Sequence, residues 1–153
     1  MENQNNSKNK GKKVLIVEDE ISLLDAIAIK LTTAGFTVLK ATDGIEGLKQ
    51  AILNRPGVIL LDVVMPHMDG FTMLHKLRED EWGRLASVIM LTNLEADDER
   101  LSNIVVDKPS YYLVKANSSL EHIVEKVQDV FMAQEESVQR ILDAQKIDEQ
   151  KEM

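Results

Sequence analysis

Short apolar runs alternating with segments of helical spacing restrict this chain more than any other feature. Val14-Leu15-Ile16-Val17 stops at Glu18-Asp19-Glu20, and Val58-Ile59-Leu60-Leu61 stops at Asp62. Ser87 to Leu91 runs into Thr92, and Tyr111-Tyr112-Leu113-Val114 into Lys115. Continuous apolar runs of this length, bounded by turn residues, read as strands buried on both faces. Phe36 to Ala41 reads as one more strand, second in chain order.

Helical spacing fills the intervals. Ile21, Leu24, Ile27, Ala28 and Leu31 mark a helix over Ile21 to Thr33 that Gly35 ends. Gly44 to Asn54 reads as a second helix with Ile45, Leu48, Ile52 and Leu53 inward, and Pro56-Gly57 breaks the chain after it. Asp69 is placed to N-cap a third helix reaching about Asp80, with Phe71, Leu74 and Leu77 as its buried stripe. A weaker, acidic helix is expected over about Ala96 to Val106. Ser118 or Ser119 then caps a last helix bearing Leu120, Ile123, Val127, Val130 and Phe131. Strands alternating with helices predict an α/β fold, a five-stranded parallel sheet with helices on both faces.

Within 153 residues this fits one domain over 13–132. Residues 1–12 read as a disordered lead-in, and 133–153 as a polar tail, helical or frayed. Val138, Ile141 and Leu142 offer that tail a short apolar stripe, too few residues for sustained heptads. A net charge of −8 argues against non-specific nucleic-acid binding, which needs a basic surface. Zero cysteines exclude disulfides, thiolate metal sites and thiol catalysis. With no membrane-length apolar stretch and no signal-peptide centre, the chain is expected to be cytoplasmic, without membrane insertion.

Parallel strands present all their C-terminal ends on one sheet edge, where open α/β sheets hold their ligands. Glu18, Asp19, Asp62, Thr92 and Lys115 should therefore converge on one crevice. Three carboxylates held together repel unless a cation lies among them, and an all-oxygen donor set favours Mg²⁺. Beside such a cation Asp62 could attack a phosphoryl group, with Lys115 neutralising phosphoryl charge and Thr92 donating a hydrogen bond. Glu18 and Asp19 would hold the metal.

Four motifs carry a resemblance to a known family: Val17-Glu18-Asp19-Glu20, Leu61-Asp62-Val63-Val64-Met65-Pro66-His67-Met68-Asp69-Gly70, Met90-Leu91-Thr92, and Tyr111-Tyr112-Leu113-Val114-Lys115. Together and in this order they resemble the response-regulator receiver domains of two-component signalling, over about Lys13 to Met132. The resemblance implies a flavodoxin-like (βα)5 fold and a phosphoryl group accepted by Asp62 from a sensor histidine kinase or phosphotransfer protein. It implies Asp19 as a direct Mg²⁺ ligand, Glu18 acting more through water, and the backbone carbonyl of Val64 completing the protein ligands. Tyr112 matches the family's switch aromatic, turning inward as Thr92 moves toward the phosphoryl group. The face of the fourth expected helix, the fifth strand and the last helix then changes its preference for a downstream protein. A homodimer through that face, or through the tail, is a further expectation. With no second globular domain in view, output by binding is expected, with no direct nucleic-acid contact.

Two positions depart from the family pattern. Ala116 follows the lysine where proline in a cis bond is usual, which predicts a trans loop that shifts Lys115. Asn93 follows Thr92 where a small residue is usual, and its bulk predicts a narrower path to Asp62. Val64 and Leu94, both apolar, cannot orient an attacking water, so a long-lived acyl phosphate is expected. These departures motivate a rival reading, a pseudo-receiver acting as a constitutive interaction module. A haloacid-dehalogenase-type phosphatase with an aspartyl nucleophile is a more distant rival, because Ile21 stands two residues after Asp19 where an acid is wanted. The protein is not expected to be an enzyme beyond catalysing its own phosphoryl transfer and dephosphorylation.

Overall fold

The computed structural model describes residues 4–93 and 107–152. Its sheet is parallel throughout and has the strands β1 (Lys13–Val17), β2 (Thr37–Ala41), β3 (Val58–Asp62), β4 (Val88–Thr92) and β5 (Tyr111–Val114), in the order β2-β1-β3-β4-β5. The described helices are α1 (Gln4–Asn9), α2 (Ile21–Thr33), α3 (Gly44–Asn54), α4 (Gly70–Glu79) and α5 (Leu120–Lys151). The expected helix over about Ala96 to Val106 lies outside the described residues.

Successive strand side chains point to opposite faces, so each buried run feeds two cores. Val14, Ile16, Val58, Leu60, Ile89 and Leu91 pack toward α2 and α5. Leu15, Val17, Ile59, Leu61, Val88 and Met90 pack toward α3 and α4. Strands β3 and β4 are buried at every position, which is why their sequences run apolar rather than alternating. On the first face the Phe36 and Phe131 rings stack at 5.4 Å between centroids.

The inward face of α3 differs from the expected one. Ile45, Ile52 and Leu53 are exposed and Leu48 is partly buried, while Gly44, Gly47 and Ala51 face the core. This helix lies so close to the sheet that a Cβ on Gly47 would stand 2.8 Å from both Val17 methyl carbons and 2.9 Å from Met73 Sδ. Small residues permit that approach, and a periodicity counted on large apolar side chains does not see them. Ile21 is likewise exposed, so the buried stripe of α2 begins at Leu24. The caps follow the sequence: Asp69 Oδ1 accepts from Thr72 N at 2.7 Å, and Ser119 Oγ from His122 N at 3.1 Å.

The N-terminal lead-in is more ordered than expected, and the tail takes the helical of its two expected forms. Within the lead-in read as disordered, α1 forms, and the buried Asn9 donates its side-chain amide to Ala34 O at 2.8 Å. The tail continues α5 as one helix of 32 residues, with Val138, Ile141 and Leu142 exposed. Gln134 fastens this helix to the sheet, donating Nε2 to Gly57 O and Ser87 Oγ, both at 2.8 Å.

Candidate functional site

The strand order turns at β1 and β3: the chain leaves β1 toward β2 on one side and leaves β3 toward β4 on the other. A crevice forms outside the carboxyl ends of strands at such a reversal. Registers then fix what lines it. Val17 pairs with Leu61, so Glu18 and Asp62 are the next residues on adjacent strands. Asp62 pairs with Leu91, and Thr92 with Val114, which sets Thr92 and then Lys115 along the same edge.

Lys115 Nζ lies 2.8 Å from Glu18 Oε2 and 3.1 Å from Asp62 Oδ2. The loop after Lys115 runs trans, and the ammonium reaches both carboxylates. Asp19 joins them, with one carboxylate oxygen from each of Glu18, Asp19 and Asp62 lying within 4.8 Å of one another. Glu18, Asp62 and Thr92 are buried, whereas Asp19 is exposed at the mouth.

Burial dominates the electrostatics. It pushes the Glu18 carboxyl up to about 7; Lys115 opposes that shift and the neighbouring Asp62 adds to it. Burial also raises Asp62, against the pull of Lys115. For Lys115 burial acts downward, but the two carboxylates outweigh it and the net shift is upward. A single ammonium thus leaves more carboxylate charge than it can balance. Glu18 Oε2 shows this directly: it is fully enclosed, and the ammonium 2.8 Å from it is shared with Asp62. Three carboxylates clustered around one shared ammonium fit a hard divalent cation with oxygen ligands.

Tyr112 is partly buried against the α3–α4 core, in register with Met90. Its neighbour Tyr111 is more exposed, with Lys126 Nζ 4.5 Å from its ring centroid. Val64 is exposed just beyond β3, and Leu94 lies outside the described residues. Two contributions escaped sequence reasoning. Arg78 reads as an ordinary charged residue in a last helical turn. Yet its guanidinium donates to the carbonyls of Gly83 at 2.7 Å, Ala86 at 2.9 Å, Asp107 at 2.8 Å and Lys108 at 3.0 Å, tying α4 to the approaches of β4 and β5. The second is a hydrogen bond between the two residues that depart from the family pattern: Ala116 N donates to Asn93 Oδ1 at 3.1 Å.

Residues 14–128 match the family model described as the response regulator receiver domain. This chain belongs to that family. Its receiver region is 40% identical over 82 residues to the DNA-binding dual master transcriptional regulator RpaA of Synechocystis, covering 54% of this chain and 34% of that protein. It is 33% identical over 111 residues to the probable transcriptional regulatory protein TcrX of Mycobacterium tuberculosis, covering 72% of this chain and 46% of that one. The chain thus matches less than half the length of either relative. Among solved structures, a chemotaxis response regulator of Vibrio cholerae superposes with a TM-score of 0.71 at 33% identity, over 78% of this chain and 98% of that one. A CheY-like receiver protein from Methanospirillum hungatei gives 0.75 at 25% identity, over 82% and 98%. The five-stranded receiver fold expected from the motifs is the fold observed. Among the described residues no helix is long and apolar enough to cross a membrane.

Proposed function

We propose that this receiver domain is a phosphorylation-activated switch in which Asp62 accepts a phosphoryl group from a phosphohistidine of a sensor kinase or phosphotransfer protein. The observation that carries the reading is the Lys115 ammonium held 3.1 Å from Asp62 and 2.8 Å from Glu18, within a cluster of three acids. A carboxylate oxygen of Asp62 forms the new O–P bond while the P–N bond to the donor imidazole breaks, and the electron pair stays on the imidazole nitrogen. Lys115 binds a phosphoryl oxygen as a compact cation, and it already sits at the nucleophile. Glu18, Asp19 and Asp62, with the Val64 carbonyl, would hold Mg²⁺, which supplies charge neutralisation at the entering group.

Thr92, buried one residue past the register partner of Asp62, then donates its hydroxyl to the phosphoryl group, and Tyr112 turns inward behind it. The surface over β5 and its flanking helices changes accordingly and selects a downstream protein. The apolar Val64 leaves no side chain there to orient a hydrolytic water, which supports a long-lived acyl phosphate. A net charge of −8 supports protein rather than nucleic-acid partners, and a cytoplasmic setting follows from a kinase donor.

The test is incubation with Mg²⁺ and acetyl phosphate. The expected product is a phosphoprotein stable to brief acid and lost in base, absent in Asp62→Asn. No labelling, together with no structural response to beryllofluoride, would overturn the switch and favour a constitutive interaction module.

A further inference from the structure

We propose that Asn93 is a positioning residue for Lys115, acting through the backbone N–H of Ala116; the inference rests on the reading of this site as a phosphoryl acceptor. Thr92 and Val114 are register partners at the ends of adjacent strands, so Asn93 and Lys115 are the first residues beyond the sheet on its carboxyl edge. The chain there has to hold a long, flexible side chain with its ammonium against two carboxylates. A proline after the lysine would stiffen this loop by fixing φ, and it would bring no N–H. Alanine supplies no such stiffness but does supply a donor.

That donor is used. Ala116 N donates to Asn93 Oδ1 at 3.1 Å, bridging the gap between the two strand ends. From the other side the turn Lys115–Asn117 is closed by Ser118, whose N donates to Lys115 O at 3.3 Å and whose Oγ donates to Val114 O at 2.9 Å. The two departures from the family pattern are therefore one device. Asparagine offers a carbonyl acceptor of the right reach, and the non-proline residue at 116 offers the hydrogen it needs. The bond fastens the residue after Thr92 to the residue after Lys115, so the hydroxyl and the ammonium at the phosphoryl site share one support.

The decisive experiment uses the full chain, Mg²⁺ and acetyl phosphate, and reads the initial rate of Asp62 labelling in a double-mutant cycle. Loss of one exposed hydrogen bond should slow Asn93→Ala by about three- to tenfold. Mg²⁺ affinity should hold, because Lys115 does not ligate the metal. In a Lys115→Ala background, and again in an Ala116→Pro background, Asn93→Ala should cost nothing further. Thermal unfolding of Asn93→Ala should stay close to that of the parent, since both partners are exposed. An unchanged or faster rate in Asn93→Ala, or an undiminished effect without Lys115, would overturn the positioning role while leaving the switch intact. An unlabelled parent chain would instead overturn the acceptor reading, and this role with it.

Discussion

Loading the acid cluster with Mg²⁺ should expel a proton from Glu18. Its carboxyl is enclosed, and burial outweighs Lys115 to hold it at about 7. A group with that pKa is about nine-tenths protonated at pH 6 and about one-tenth at pH 8. Metal binding through a carboxylate requires the ionised form. Mg²⁺ uptake should thus release close to one proton at pH 6 and almost none at pH 8, and the apparent affinity should rise about tenfold across that interval. The upward shift of Asp62 acts in the same sense. Titration calorimetry in two buffers of different ionisation enthalpy measures the proton count directly. Glu18→Gln removes the titrating group and should lower the release at pH 6 and flatten the pH dependence. A proton count near zero at pH 6 in the parent chain, or an unchanged one in Glu18→Gln, would refute the assignment of the raised pKa to this residue.

The metal-free protein should show the same group in its stability. Because the folded pKa of Glu18 lies above its ordinary value of 4.5, the native state binds the extra proton, and its contribution is present below pH 4.5 and lost as pH rises toward about 7. Urea midpoints in the presence of a chelator should therefore fall over that window, by on the order of 3 kcal/mol at most, and saturating Mg²⁺ should remove the slope. Gln134→Ala deletes two hydrogen bonds of 2.8 Å that fasten α5 to the starts of β3 and β4, and should cost about 1–2 kcal/mol in urea unfolding without altering Mg²⁺ affinity. Gly47→Ala drives a methyl against Val17 and Met73 and should destabilise by about 1–3 kcal/mol, whereas Ile45→Ala on the exposed face should change the midpoint little.

The strands, the caps at Asp69 and Ser119, and the convergence of Glu18, Asp19, Asp62, Thr92 and Lys115 on one edge were legible because each rests on a local rule. Buried parallel strands must be apolar along their length, and a parallel sheet gathers its carboxyl ends. The inward face of α3 was illegible because Gly44, Gly47 and Ala51 act by absence, letting helix and sheet approach. Arg78 was illegible because two of its carbonyl partners, on Asp107 and Lys108, lie 29 and 30 residues further along the chain. Asn93 and Ala116 were visible only as two separate departures. Twenty-three residues part them, and only the register of β4 on β5 makes them neighbours. The order of the N-terminal lead-in, and the choice of helix over fraying in the tail, were not legible for another reason. Polar composition describes the surface of α1 and α5, while Asn9 and Gln134 hold them through single amides.

Everything at the site turns on Asp62 as the acceptor, and one measurement addresses that without intermediaries. After reaction with a phosphodonor and Mg²⁺, borohydride reduction of the acyl phosphate and peptide mass spectrometry should convert position 62 alone to homoserine. The conversion should be absent when phosphodonor or Mg²⁺ is omitted. Reduction at another acid, at Asp19 or Glu18 for instance, or none at all in a chain that retains its fold and binds Mg²⁺, would contradict the account.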